Sequence, residues 1–338
     1  MASKMLPSRT LGSTGLAVTR MGLGLAALGR PGYINLGHAA DLEGEYAVEA
    51  MATHTADVLD TAWAGGVRYF DAARSYGRAE EFLARWLRAR GIPPEACVVA
   101  SKWGYIYVAN WQVEAERHEV KDHSLATFER QLGESLALLG PFLALYQVHS
   151  ATIESRILER EDVLDAMAAA REAGHIRAIG LTLSGPSSAE TLRRAREIER
   201  GGRRLFDTVQ ATWNALEPSL GPLLAESHAA GIGVLIKEAL ANGRLTARNT
   251  EPSFAARRQL LEAQATRLGV SIDQLALAYV LAQPWADCLL SGAATVDHLR
   301  SNVGAFDVSL DEQAIRALES LAEPVDRYWQ TRAALPWT

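Results

Sequence analysis

Eight short apolar runs, four to eight residues each, alternate with longer segments of helical period along almost the whole chain. The runs are Val18–Leu25, Val67–Asp71, Cys97–Lys102, Leu143–His149, Ile176–Leu181, Thr208–Ala211, Gly233–Lys237 and Asp287–Leu290. Runs of this length, bounded by polar or glycine-rich residues and without polar alternation, read as parallel strands buried on both faces. Between them lie the segments Ala47–Ala64, Ala79–Arg90, Ser124–Leu139, Glu161–Glu172, Ser188–Glu199 and Pro218–Ala230, then the pair Phe254–Leu268 and Ile272–Ala282. In Ser124–Leu139, for example, Leu125, Phe128, Leu132, Leu136 and Leu139 share one face at three- and four-residue spacing. Eight strands with interleaved helices make a closed (β/α)8 TIM barrel the expected fold class, and one domain over 1–338 the simplest organisation.

Two pieces stand outside the repeat. Arg9-Thr10-Leu11, Gly12-Ser13-Thr14-Gly15 and Leu16-Ala17-Val18 predict an N-terminal β-hairpin over about 7–18 that can plug the floor of the barrel at about 19–305. From about 306 to 338 a C-terminal helix leads into a tail. Its stretch from Asp326 through Trp329 to Trp337 is aromatic and polar without helical period. That tail either crosses the barrel mouth or packs on the outer surface.

The chemistry sits where the runs end. Asp71 closes the second run, Tyr76 follows five residues later, Lys102 closes the third and His149 the fourth. Barrel enzymes carry their sites on the face where strands end, so an acid, a phenol, an amine and an imidazole are expected at one mouth. Each also has a plain structural role open to it, as a turn cap, a loop aromatic, a solvated lysine or a supporting histidine.

Composition narrows the class. A net charge of −6 with no basic block argues against nucleic acid. Cys97 and Cys288 both sit in apolar runs and read as core thiols of a reducing compartment. Scattered histidines give no metal site, and no apolar stretch suggests a signal peptide or membrane span, so a cytoplasmic protein is expected. Gly22-Leu23-Gly24-Leu25-Ala26-Ala27 fits the dinucleotide fingerprint G-x-G-x-x-A, with Asp41 about twenty residues on. Gly29-Arg30-Pro31-Gly32 leaves no room for the helix that motif must open, and a long loop over the mouth, through Gly44, is expected instead.

At these residues the chain resembles the aldo-keto reductase superfamily, especially its bacterial members. The likeness runs in order through Arg9–Leu16, Met21–Gly24, Tyr69-Phe70-Asp71-Ala72-Ala73-Arg74-Ser75-Tyr76-Gly77, Ala100-Ser101-Lys102, Tyr146-Gln147-Val148-His149 and Ser291–Asn302. The resemblance implies an oxidoreductase that reduces an aldehyde, ketone or sugar carbonyl, or runs the reverse. Its catalytic residues would be Tyr76 as proton donor, Lys102, Asp71 and His149. A free phenol has a pKa near ~10, so a neighbouring Lys102 ammonium is expected to draw it down, with Asp71 keeping that ammonium charged.

The resemblance also implies a nicotinamide cofactor across the mouth. Gln210 would hold the carboxamide, Leu240 and Arg244 the pyrophosphate, and Gly292, Ala293, His298 and Asn302 the adenosine ribose or its phosphate, with Gly24 in the wall. Lys237 occupies a position where many relatives carry an aromatic residue stacked on the nicotinamide, and Trp213 is a candidate replacement. Thr182-Leu183 stands for a Ser-Asn pair, with Ser184 next to it. NADP(H) is the cofactor that family habit favours, NAD(H) remaining open because Gly292 and His298 stand where some relatives have Lys and Arg. Trp103 and Trp213, with Tyr105, Tyr107, Trp111 and Trp329, are candidate substrate walls or core residues. Two other readings stay open: a cofactor-binding regulatory subunit with little turnover, and a barrel lyase or isomerase using Lys102 as a Schiff base. The expected partner is a small carbonyl or alcohol; no nucleic acid or membrane is expected, and the oligomeric state is left open.

Overall fold

The structure, a computed structural model, describes residues 6–338. The chain opens with the expected antiparallel hairpin, β1 (Ser8–Thr10) and β2 (Ala17–Thr19). There follow β3 (Met21–Gly24), β4 (Tyr69–Asp71) and β5 (Val98–Trp103), then a small ribbon of β6 (Tyr105–Tyr107) and β7 (Glu119–Lys121). After β8 (Leu143–Ala151) and β9 (Ala178–Leu183) comes a second ribbon, β10 (Glu199–Arg200) and β11 (Arg203–Arg204). The chain continues through β12 (Thr208–Thr212), β13 (Gly233–Lys237) and β14 (Cys288–Ser291). Strands β3, β4, β5, β8, β9, β12, β13 and β14 pair in parallel and in that order, and β14 closes on β3. Each of the eight apolar runs thus contributes a barrel strand, as expected of a (β/α)8 fold.

The outer helices fall in the predicted gaps. A single turn, α1 (His38–Asp41), interrupts the mouth loop before α2 (Val48–Ala64). The others are α3 (Ala79–Ala89), α4 (Leu125–Leu139), α5 (Glu161–Glu172), α6 (Ser188–Arg196), α7 (Gly221–Ala229), the pair α8 (Ala255–Leu268) and α9 (Ile272–Leu281), and α10 (Val296–Gly304). Ser124 caps α4 by accepting from the Thr127 amide, and Ser271 with Gln274 forms a capping box on α9. No helix among the described residues is long and apolar enough to cross a membrane.

Two boundaries differ from the sequence pattern. The run Val18–Leu25 is not one strand: Ala17–Thr19 belongs to the hairpin and Met21–Gly24 to the barrel. Between them the Arg20 amide donates to Pro7 O at 2.8 Å, and the Thr19 hydroxyl bonds Met21 O at 2.7 Å. The last stretch is not an irregular tail. After α11 (Glu312–Glu319) it forms α12 (Val325–Ala333). Its inward face is Val325, Tyr328, Trp329 and Arg332, a helical spacing that hydropathy does not reveal because one member is a cation. Only the last residues are extended. The apparent fingerprint glycines belong to β3, and a side chain at Gly22 would come 2.5 Å from the Tyr69 ring.

The hairpin closes the floor. Leu11, Leu16 and Val18 pack in one buried cluster with Tyr69, Ala100, Leu145, Leu235 and Cys288 from the barrel strands. Gly12 has φ +49, and a Cβ there would lie 2.3 Å from the Gly233 amide nitrogen. Gly12→Ala combines a disfavoured backbone with that clash and should cost more than about 2 kcal/mol. Urea unfolding reads this as a lowered midpoint; an unchanged midpoint would mean the hairpin is not seated on the barrel.

Candidate active site

The opposite end of the barrel is open, and polar side chains gather where its strands finish. Asp71 ends β4, Lys102 lies in β5 and His149 near the end of β8, while Tyr76 stands in the loop that leads to α3. Asp71 and Lys102 are 2% and 1% exposed and form a direct ion pair. The Lys102 ammonium also donates to Ala72 O at 2.9 Å. The second Asp71 oxygen accepts from Gln210 Nε2 at 3.0 Å, Gln147 Nε2 at 3.1 Å and Tyr69 OH at 3.4 Å. A buried carboxylate needs this many donors because it has left water behind.

Tyr76 stands above the pair. Its ring centre is 4.6 Å from Lys102 Nζ, 5.2 Å from the Arg30 guanidinium carbon and 5.4 Å from the His149 ring, which meets it edge-on. Burial, and next to it the Asp71 charge, hold the phenol well above its ordinary value, while Arg30 opposes them. The phenol therefore keeps its proton at neutral pH. Lys102 is paired with Asp71 and Ala72 O, and burial outweighs what its charge can do to lower the phenol. With its amine so held, Lys102 has no free nucleophile to offer a Schiff base. Burial, reinforced by the charges of Lys102, Lys237 and Arg30, pushes His149 well below the usual imidazole range, so the ring is neutral. Ser75 Oγ lies 3.4 Å from its Nδ1.

From Asp71, Tyr76 and His149 a cleft of about 490 Å³ runs across the mouth to α10. Gly24, Gln210, Lys237, Leu240, Gly292, Ala293, His298 and Asn302 line it, as do Thr182 and Ser184. A side chain at Gly292 would meet only open space, and the buried side-chain oxygen of Asn242, also in the wall, has no partner. An extended groove with an unsatisfied acceptor and small residues at its far end fits a dinucleotide. Some of these groups are already engaged. The Gln210 amide donates to Asp71, and Asn302 Nδ2 holds Ser291 Oγ at 2.8 Å.

Three expected residues lie elsewhere. Arg244 turns away from the cleft to pair with buried Glu323 at 2.7 Å. Trp103 is fully buried between Phe128 and His123, so it is core and not a substrate wall. Trp213 is stacked on Tyr279 and against Trp285, with its indole N–H donated to Pro218 O at 3.1 Å. It neither lines the cleft nor replaces an aromatic at Lys237. Trp111 packs on Phe82, and Trp329 on Tyr328. Tyr105 does reach the cleft.

Sequence pattern missed the residues that close the mouth. Arg30, 2% exposed, donates to Ser75 O at 3.0 Å and to Glu119 at 2.6 Å. Its guanidinium faces Tyr33 and Trp337 as well as Tyr76. The chain terminus crosses the mouth, since Tyr33 and Thr338 exchange backbone hydrogen bonds at 3.1 Å. Glu238, at φ 54 just past β13, accepts from Arg332 of α12 at 2.6 Å and from Thr212 at 3.0 Å. Burial pushes its carboxyl up, but Arg332 and Lys237 overcome this and hold it at about 2. Burial pushes Lys237 down. The sequence signals for this layer were the long loop expected over the mouth and the aromatic and charged tail, neither of which named these contacts. Among the described residues no group of side chains could hold a metal, and Cys97 and Cys288 are free and buried.

Neutral buried histidines predict acid sensitivity. Burial pushes His38 and His123 to about 4, and His149 is lowered in the same direction. Folded values below the unfolded ~6.5 mean full stability above that pH, lost as pH falls towards ~4, at about 1.4 kcal/mol per unit for each ring. Thermal melts should drop by several degrees between pH 7 and pH 5; constant melting would mean the rings are solvated.

The family model described as the aldo/keto reductase family matches residues 20–323. The chain is 25% identical over 346 residues to the NADH-specific methylglyoxal reductase of Escherichia coli, covering 94% of this chain and 98% of that protein. It is 26% identical over 342 residues to the aldo-keto reductase yakc [NADP(+)] of Schizosaccharomyces pombe, covering 94% and 92%. A solved structure from Pseudomonas aeruginosa, titled a putative aldo-keto reductase, superposes with a TM-score of 0.62 at 26% identity, covering 92% of this chain and 95% of that one.

Proposed function

Because the chain belongs to the aldo/keto reductase family, we propose that it interconverts an aldehyde, ketone or sugar carbonyl with its alcohol, using NADP(H) or NAD(H), with Tyr76 as proton donor. The observation that carries this reading is a buried phenol and a buried imidazole facing one cleft, with a buried ammonium 4.6 Å from the phenol ring. When bound, the reduced nicotinamide supplies hydride. As negative charge develops on the carbonyl oxygen, Tyr76 passes it a proton. The phenolate left behind stands beside the Lys102 and Arg30 cations, which stabilise it after transfer although burial keeps the resting phenol protonated.

His149 acts as a neutral hydrogen-bond donor. If the Ser75 hydroxyl donates to Nδ1, the ring proton sits on Nε2, free to meet the substrate oxygen. Asp71 positions Lys102 through their ion pair. Gly24, Gln210, Lys237, Leu240, Gly292, Ala293, His298 and Asn302 would hold the cofactor along the cleft. Tyr33, Tyr105 and Trp337, with Arg30 and Glu119 between them, make a mouth that is both aromatic and polar. Such a lining suits a small or hydroxylated carbonyl better than a long apolar chain.

Tyr76→Phe tests the assignment. It should cut carbonyl turnover by about 10²–10⁴-fold while leaving cofactor affinity, read by nicotinamide fluorescence, within about twofold. Turnover preserved within a few fold would remove Tyr76 as the donor.

A further inference from the structure

The far end of the cleft carries a cluster of charges that the proposed reaction does not use. Arg248, in the loop after β13, extends across to α1 and grips Asp41 with both ends of its guanidinium, Nη1 to Oδ2 at 2.9 Å and Nη2 to Oδ1 at 2.5 Å. Nη1 also lies 3.4 Å from Leu36 O and 3.3 Å from Gly37 O, and Nη2 lies 3.1 Å from His298 Nε2. The Asp41 carboxylate is only 2% exposed, so its interaction with Arg248 is poorly screened.

The other charges here are mostly acidic. Asp273 and Asp297 face the same end of the cleft. Asp273 takes a hydrogen bond from Ser301, and Asp297 pairs with the exposed Arg300 at 3.2 Å. Arg248 and Arg300 thus stand against Asp41, Asp273 and Asp297. Burial lowers His298, leaving it neutral near pH 7 even though Asp41 favours its charged form. Arg248 spends both terminal nitrogens of its guanidinium on Asp41, and Arg300, outside the cleft lining, pairs with Asp297.

We propose that this end of the cleft takes an adenosine ribose with a free 2′-hydroxyl, so that the protein prefers NAD(H) to NADP(H), and that the Asp41–Arg248 pair sets the preference. This rests on the reading of the cleft as a dinucleotide site. The active groups Tyr76 and His149 assign the nicotinamide to one end, which leaves the adenosine for the end at α10. A ribose hydroxyl can donate to a carboxylate, and Asp273 and Asp297 offer carboxylates at this end. A 2′-phosphate brings close to two negative charges and only acceptor oxygens. It would meet the Asp273 and Asp297 carboxylates, and turning the Arg248 terminal nitrogens to it would break their two-point grip on the buried Asp41. Such like-charge contact is the repulsive element that separates two otherwise identical ligands. The same pair ties the mouth loop to the loop after β13.

Fluorescence titration with NADH and NADPH near neutral pH and at low salt tests this without requiring turnover. NADH should bind at least about tenfold more tightly than NADPH, a difference of about 1.4 kcal/mol. Asp41→Asn releases Arg248 and should narrow that ratio by about tenfold, chiefly through tighter NADPH binding. Arg248→Ala should weaken NADPH no more than NADH. NADPH binding as tightly as NADH in the unaltered protein would overturn the proposal, as would a selective loss of NADPH affinity in Arg248→Ala or an unchanged ratio in Asp41→Asn. If Asp41→Asn fails to fold, Arg248→Ala and the unaltered protein still decide it. Binding of neither dinucleotide would sink the cofactor reading and the preference with it, an outcome distinct from the others.

Discussion

A buried carboxylate and a buried ammonium hold this site together. Asp71 and Lys102 lie on neighbouring strands, β4 and β5, and neither has meaningful contact with water. Removing one partner from such a pair costs about 3–5 kcal/mol, a large part of the roughly 5–15 kcal/mol that keeps a typical domain folded. The pair survives because hydrogen-bond partners surround it: two glutamine amides and a tyrosine donate to Asp71, and a carbonyl accepts from Lys102. Gln147 and Gln210 come from strands across the barrel, so closure of the barrel is what completes the carboxylate's shell. The same closure places Tyr76 within reach of the ammonium.

The cleft's other charges follow the same rule with different partners. Arg30 is paired with Glu119 and Ser75 O, Glu238 with Arg332, and Asp41 with Arg248. In each case a cation from one loop or helix is matched by an acid from a distant part of the chain. Together these pairs tie the mouth loop, the β6–β7 ribbon, the loop after β13 and the C-terminal helix around one opening. Two residues in the left-handed region, Ser150 and Glu238, sit at strand ends beside it. Backbone of that kind is retained where surrounding contacts dictate it, and it concentrates at sites of this sort.

Much of this was legible in the sequence. The eight strands announced themselves because a parallel barrel strand is covered on both faces and must be apolar throughout; β5 is buried along its whole length. Asp71, Lys102 and His149 stood out as polar residues at the ends of such runs. The aromatic assignments fared worse. Trp103 and Trp213 look like pocket walls by position, yet both pack in the core, since alternate side chains along a strand or its exit face opposite ways and hydropathy does not say which. Arg244 had the right neighbours and the wrong direction, because Glu323, some eighty residues later, needed its charge.

What the sequence determined by itself is the order of strands and helices, the hairpin that plugs the floor and the identity of the four groups at the mouth. These depend on local pattern, the burial of apolar residues at a fixed period, and on ordered resemblance. Only the tertiary structure decided which cation answers which acid, that the last helix folds back to cap the opening, and that burial outweighs neighbouring cations in keeping the phenol protonated. Ion pairs between residues such as Asp41 and Arg248 leave no periodic trace in the chain, because their energy depends on distance and burial in three dimensions and not on spacing along the backbone.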